Sequence, residues 1–279
     1  MSLILLSLIV LGAIGAIASF VLFFVSKKFR VEEDPRISQI INVLPGANCG
    51  GCGFPGCSGF ADALVKSDTI DSMNCPVGGS EIMNNVAEIL GKSIEVGSPK
   101  IAVVRCNGTC ENRPRINQYD GAKTCTIASN LYSGETACSY GCLSYGDCVK
   151  ACPFDAIRIN KATNLPEVDE EKCVACGKCV DACPKLLIEL RKKGPKSKRV
   201  YVACRNKDKP AVAMKSCKVS CISCKKCVKV CAFDAITIEN NLAFVDDNKC
   251  RLCRKCVSEC PNSAIIEINF PQKKHVENV

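Results

Sequence analysis

The residues able to do chemistry are cysteines: 25 of them in 279 residues, with no Trp and a single His. Thiols in such number are tied up by disulfides or by metal. Their spacing points to metal. The pattern C-x2-C-x2-C-x3-C occurs at Cys173, Cys176, Cys179, Cys183, at Cys221, Cys224, Cys227, Cys231, and at Cys250, Cys253, Cys256, Cys260. Three thiolates in a tight loop wrap one iron–sulfur cubane, and the fourth sits too far along to close the same cluster and reaches its neighbour. A longer variant runs Cys138, Cys142, Cys148, Cys152. Another set, Cys49, Cys52, Cys57 and Cys75, opens in the glycine-rich NCGGCGFPGCSGF, where glycine lets the backbone turn sharply and aim amides at sulfur. Zinc ribbons also use C-x2-C pairs, but as two separated pairs rather than three close Cys and a fourth before Pro.

Other signals are weaker. No Gly-Lys-Ser/Thr follows the glycines, so a phosphate loop is not expected, and no nicotinamide site is evident. Cys217, Cys221 and Cys224 share the x3, x2 spacing of radical S-adenosylmethionine enzymes, but too little chain follows for their barrel. His275 reads as a solvated side chain in a polar tail. Cys106, Cys110, Cys125, Cys204 and Cys217 fall outside the motifs. Cys106 and Cys204 each end a strand-like run, IAVVRC and RVYVAC, that would meet across a sheet. A further cluster is expected from Cys106, Cys110, Cys125 and either Cys204 or Cys217, the alternative being buried free thiols.

The elements that position these thiols begin with an uncharged apolar run, Ser2 to Val25, long enough to span a bilayer. Lys27, Lys28 and Arg30 follow, which keeps the rest on the cytoplasmic side, where structural disulfides are rare. A cleaved signal peptide would have a basic start and a shorter run. A compact segment then extends from about Asp34 to Leu90, ending in a helix, Ser80–Leu90, capped by Ser80 and stopped by Gly91. A strand covers Lys100–Arg105. The remainder repeats: ACPFDAIRIN (151–160) matches VCAFDAITIEN (230–240), and the stretch 167–190 matches 244–268. The basic Arg191–Arg199 between the copies reads as an exposed linker that would dock an acidic ferredoxin.

Both repeats resemble the two-cluster bacterial ferredoxin. That resemblance implies a small α+β unit, with strands such as Ala156–Asn160 over two clusters, and crossed ligation. One cluster would use Cys138, Cys142, Cys148 and Cys183, and the next Cys152, Cys173, Cys176 and Cys179. In the second repeat the sets would be Cys221, Cys224, Cys227, Cys260 and Cys231, Cys250, Cys253, Cys256. Ala232 stands where Pro would follow the fourth Cys, which removes no ligand. The N-terminal segment resembles the single-cluster 4Fe–4S domain of Rnf B subunits and some corrinoid proteins. Helix, basic flank, CGGCGFPGC domain and ferredoxin modules, in that order, resemble the RnfB family, the B subunits of ion-translocating ferredoxin:NAD oxidoreductase complexes, in its longer form.

The expected architecture is therefore α+β: a transmembrane helix (1–26), a single-cluster 4Fe–4S domain (32–92), a Cys-containing connection (98–134), ferredoxin-like module 1 (135–190), a basic linker and strand (191–212), module 2 (213–270) and a tail (271–279). The resemblance implies five 4Fe–4S clusters, with the sixth resting on the extra cysteines. It implies a single-pass membrane protein, cytoplasmic in its soluble part, that takes electrons from soluble reduced ferredoxin and works beside other subunits of an Rnf-type complex. NAD chemistry would lie on a partner. Alternatives are the electron-carrying subunit of a hydrogenase or formate-linked complex, or a zinc-rich structural or nucleic-acid-binding protein. The formal charge of +9 does not favour nucleic acid. Each oxidised four-thiolate cubane carries roughly −2, and six would bring the protein to about −3.

Overall fold

The computed structural model describes residues 3–28, 34–70, 73–93, 98–132 and 134–271; His275 lies outside them. Helix α1 (Leu3–Lys28) carries no acidic residue in its first turn and ends in Lys27 and Lys28. Its 22-residue apolar part, Ser7–Lys28, is not buried against any protein element. At 1.5 Å per residue that part spans about 33 Å, enough to cross a hydrocarbon core. Leu11, Phe20 and Leu22 are each about two-thirds exposed, as expected of a helix whose solvent is lipid rather than water.

Three helices follow. In α2 (Pro35–Val43), Asp34 caps the start by accepting from the Arg36 amide, with Pro35 in the first turn. Helices α3 (Gly56–Lys66) and α4 (Gly79–Leu90) close a small core of Ile40, Phe60, Leu64, Met83 and Val86, and Cys75 is part of it. The expected Ser80 cap is absent. The helix begins at Gly79, whose amide bonds to the Cys75 carbonyl, so Ser80 lies inside the first turn. Gly91 stops α4 as expected, with left-handed φ of 63°.

The repeats fold alike. In the first, β2 (Ile157–Asn160) and β3 (Leu165–Val168) form a hairpin, and β4 (Ile188–Lys192) pairs antiparallel with β1 (Lys100–Val104). In the second, β6 (Ile236–Glu239) and β7 (Leu242–Val245) form the hairpin, and β8 (Ile265–Ile268) pairs with β5 (Arg199–Val202). Each module thus recruits a strand from upstream of the expected boundary, because the last strand of a ferredoxin unit needs a partner for its edge. IAVVRC and RVYVAC accordingly lie in different sheets. They meet face to face, Ile101 and Val103 packing on Tyr201 and Ala203, with the Asn107 amide donating to the Ala203 carbonyl at 3.1 Å.

The basic run between the copies is anchored at both ends, with Pro195 and Lys196 exposed between them. Arg191 is 3 % exposed and Arg199 6 %. Arg191 pairs with Asp247 and with Glu189, donates to the Val245 carbonyl, and lies over the Phe244 ring. Arg199 pairs with Glu170 at 2.5 Å. Guanidinium groups at these positions tie module 1 to module 2. They are spent on that contact and are not presented to a docking ferredoxin.

Candidate iron–sulfur sites

Three loops share one backbone solution. In Cys173–Cys179, Ala175 and Gly177 have left-handed φ; in Cys221–Cys227, Ser223 and Lys225 do; in Cys250–Cys256, Leu252 and Arg254 do. Left-handed residues on either side of the middle Cys turn the chain so that three sulfurs converge. One-turn helices α7 (Lys178–Asp181), α9 (Lys226–Lys229) and α10 (Lys255–Ser258) carry the third Cys of each loop. After the fourth Cys the chain turns back and gives its sulfur an amide: Ala156 to Cys152 at 3.4 Å, Leu187 to Cys183 at 3.3 Å, Ala264 to Cys260 at 3.2 Å. Such N–H···S bonds favour an anionic, metal-bound thiolate.

The thiols line small voids in sets. Cys152, Cys173, Cys176 and Cys179 line one. Cys231, Cys250, Cys253 and Cys256 line another, so Ala232 costs that site no ligand. Cys227 is surrounded by Cys221, Cys224 and Cys260. Cys75 is surrounded by Cys52 and Cys57. Burial, reinforced by these neighbouring thiols, pushes Cys179 and Cys256 up to about 12 and Cys227 to about 11. Without a metal these groups stay protonated; their stable anionic form is the coordinated one. Four-thiol sets with three members in one tight loop have the donor chemistry of a cubane.

The first loop of module 1 departs from the expected ligand set. Ser144 and Gly146 have left-handed φ, and α6 (Asp147–Lys150) carries Cys148, so the loop 142–148 has the same form as the others. Its middle position is Tyr145. The void that it faces is lined by Cys125, Cys142, Cys148 and Cys183. Cys138 lines a neighbouring void with Cys106, Cys204 and Cys217. Cys138 thus lines a different void from Cys142, Cys148 and Cys183. The structure does not bring Cys110 or Cys125 to Cys106: Cys110 is exposed, its thiol 3.9 Å from the Thr163 carbonyl. Cys125 is the first residue of α5 (Cys125–Leu131). The Asp147 carboxylate holds it there, accepting from the Cys125 amide at 2.9 Å and from the Thr126 amide and hydroxyl at 3.0 Å. Burial opposes ionisation of Asp147, but these donors prevail and keep its carboxyl below the usual range.

A signal for this existed in the sequence. CLSYGDCVKACP (142–153) and CVACGKCVDACP (173–184) align without a gap and place Tyr145 opposite Cys176. In the N-terminal domain, Gly51–Gly56 has the G-x-G-x-x-G spacing of dinucleotide loops. It follows helix α2 rather than a strand, so the required βαβ setting is absent. The Asn48 carboxamide instead pins this loop, accepting from the Cys57 amide at 2.8 Å. Gly51 packs on module 1: a Cβ there would lie 2.8 Å from the Cys176 Cβ.

Sulfur-lined sites on small α+β modules behind an exposed apolar helix define a membrane-associated, multi-cluster iron–sulfur protein. The family comparisons agree. Residues 44–77 match the model described as "Putative Fe-S cluster", and residues 135–187 and 220–272 each match a 4Fe-4S dicluster domain. The B subunit of the Na(+)-translocating ferredoxin:NAD(+) oxidoreductase complex of Acetobacterium woodii is 47 % identical over 92 % of this chain and 75 % of its own length. The proton-translocating counterpart of Clostridium ljungdahlii is 40 % identical over 90 % and 87 %. The B subunit of the ion-translocating oxidoreductase complex of Methanosarcina acetivorans is 36 % identical over 93 % and 96 %. The chain belongs to this family of Rnf complex B subunits, electron-transfer iron–sulfur components of ion-translocating oxidoreductases.

Proposed function

We propose that the chain takes electrons from reduced ferredoxin on the cytoplasmic side and relays them through five 4Fe–4S clusters toward the membrane, for NAD reduction on partner subunits. The carrying observation is that the Gly51 loop of the N-terminal domain reaches Cys176 of module 1, and that the two cysteine sets within each module lie side by side. The clusters supply the redox chemistry when bound; the protein sets spacing, charge and exposure. Their ligands are Cys49, Cys52, Cys57, Cys75 in the N-terminal domain; Cys152, Cys173, Cys176, Cys179 and Cys125, Cys142, Cys148, Cys183 in module 1; Cys221, Cys224, Cys227, Cys260 and Cys231, Cys250, Cys253, Cys256 in module 2. Lys27 and Lys28 at the end of α1, and Arg30 just beyond in the sequence, support the cytoplasmic side.

Entry is at module 2. Cys224 and Cys253 are exposed, and exposed Lys225, Lys226, Arg251 and Lys255 surround them. The equivalent Cys176 of module 1 is covered by Gly51. Positive charge around an exposed cluster edge steers an acidic partner. Replacing Lys225, Lys226 and Arg251 with Gln is expected to slow reduction by ferredoxin on the order of 10-fold at low salt and to flatten its salt dependence. Stopped-flow mixing with reduced ferredoxin checks this; an unchanged rate and salt dependence would remove module 2 as the entry point.

Asp147 tests the Cys125 assignment. Asp147→Ala removes the acceptor for the start of α5 and should cost about 1–2 kcal/mol, as loss of a helix cap does. Iron should leave one cluster faster under chelation, with the module 2 clusters unaffected. Uniform loss from all clusters would count against the assignment.

A further inference from the structure

The set Cys106, Cys138, Cys204 and Cys217 draws on neither ferredoxin module alone, and three of its members lie outside every motif. All four line one void, as the motif cysteines do in their own sets. Cys138, Cys204 and Cys217 are buried. The thiols come from four separate stretches: just after β1, the start of module 1, just after β5, and the residue after α8 (Pro210–Ser216). Chance burial of free thiols would not account for four such stretches turning one sulfur each toward the same space.

The walls are built for an anion. Arg113 and Arg205 line the void, as does Arg105, which is paired with Glu189; among the described residues no Asp or Glu lines it. The Asn206 carboxamide, 1 % exposed, donates to the Cys138 sulfur at 3.6 Å. The Cys221 amide donates to the Cys204 sulfur at 3.4 Å. Two polar atoms of the wall, Arg113 Nε and Ser220 Oγ, are buried without a hydrogen-bond partner among the described residues. A buried donor left unpaired costs about 1–3 kcal/mol. Acceptor sulfurs in the void would satisfy both.

The position matters as much as the lining. Leu187 forms part of this wall and part of the wall around Cys125, Cys142, Cys148 and Cys183. Arg113 spans the same boundary, donating to the Cys142 carbonyl at 2.6 Å. On the other side, Cys221, placed above in the first cluster of module 2, reaches Cys204 through its amide. The site therefore lies between the two modules.

Building on the relay proposed above, we infer that Cys106, Cys138, Cys204 and Cys217 hold a sixth 4Fe–4S cluster, which joins module 1 to module 2. Cys125 and Cys138 exchange the roles that simple motif reading gives them. Tyr145 removes a ligand from module 1, Cys125 replaces it, and Cys138 is released to the bridging site. Every cysteine except Cys110 then has a place. Electrons pass along the row with no change in covalent bonding. Each step oxidises one cluster and reduces its neighbour by one electron, with ferredoxin the reductant.

The test uses the full chain, purified anaerobically with its helix in detergent. Iron, acid-labile sulfide and zinc are counted per polypeptide, and the reduced clusters are followed by electron paramagnetic resonance. Wild type should contain about 24 iron atoms. Cys217→Ser and Cys204→Ser should each contain about 20 and lose the same signal, while Cys110→Ser should keep about 24. Retention of the other signals shows that the variants are folded. Asn206→Asp keeps all ligands and serves if the serine variants fail to fold: one cluster should shift to lower potential and the rest stay in place. About 20 iron atoms in wild type, unchanged in Cys217→Ser, would overturn the sixth cluster and leave the five-cluster relay standing. Equal potentials for every cluster in wild type and Asn206→Asp would overturn it as well. Zinc with little iron would overturn both.

Discussion

Gly51→Leu should leave every cluster assembled and yet slow electron passage between the N-terminal domain and module 1 on the order of 10-fold or more, as rates set by precise placement fall steeply with displacements of about an ångström. The argument is steric. A Cβ on Gly51 would stand 2.8 Å from the Cys176 Cβ, 2.9 Å from its Cα and 3.0 Å from the Pro76 ring. The first two belong to a ligand loop that cannot yield without moving its cluster, so the domain must back away. Cys49 and Cys176 are near enough for the Cys49 thiol to add to the effect of burial in raising Cys176. Gly51 therefore sets the closest approach of two cluster-bearing loops. Overpacking of this kind costs about 1–3 kcal/mol, taken from the contact rather than from either domain's core. Rapid-freeze paramagnetic resonance after mixing with reduced ferredoxin would show module clusters reduced at the normal rate and the N-terminal cluster late. Normal kinetics throughout would mean that this contact is not on the route.

The second large effect is expected at Arg191. Truncation to Ala removes the partner of Asp247, a bond to Glu189, two bonds to the Val245 carbonyl and the contact with Phe244. Breaking a buried pair by removing one member costs about 3–5 kcal/mol. Burial raises the Asp247 carboxyl, with Arg191 acting the other way. Without Arg191 the raise is larger. A carboxyl raised in the folded state favours folding below its unfolded pKa and loses that contribution as pH rises through the folded value. The deficit of Arg191→Ala should accordingly be greatest at neutral pH and shrink on acidification. Anaerobic urea titrations at two pH values measure it; a deficit that grows on acidification would contradict the assignment of Asp247 as the uncompensated charge. Arg191→Ala should also lower electron passage between modules, because the residue ties the two sheets together.

Much of this was legible in the cysteines. Loop spacing is a local property, and C-x2-C-x2-C-x3-C specifies three converging sulfurs whatever surrounds it. The apolar helix, the duplication and the Gly91 stop are local too. What escaped was decided at long range. β1 belongs to module 1 only because β4 lies 84 or more residues onward and needs an edge partner, as the pairing of Val104 with Ile188 shows. Arg191 and Arg199 look like solvated charges until Asp247 and Glu170 are placed beside them. Cys125 and Cys138 are the instructive pair. Counting cysteines assigns Cys138 to the module, whereas the gap-free alignment of its loops puts Tyr145 where the middle ligand would be, so that a donor must come from outside. That donor could not be chosen without the Asp147 anchor on α5.

The central claim is one contiguous row of clusters from module 2 to the N-terminal domain. The most direct measurement is the paramagnetic resonance spectrum of the fully reduced full-length chain, compared with Cys217→Ser. Contiguity predicts that wild type shows signals broadened by spin interaction, including between the modules. The inter-module part should vanish in Cys217→Ser while interactions within each module remain. A wild-type spectrum that is the plain sum of isolated clusters would contradict the row.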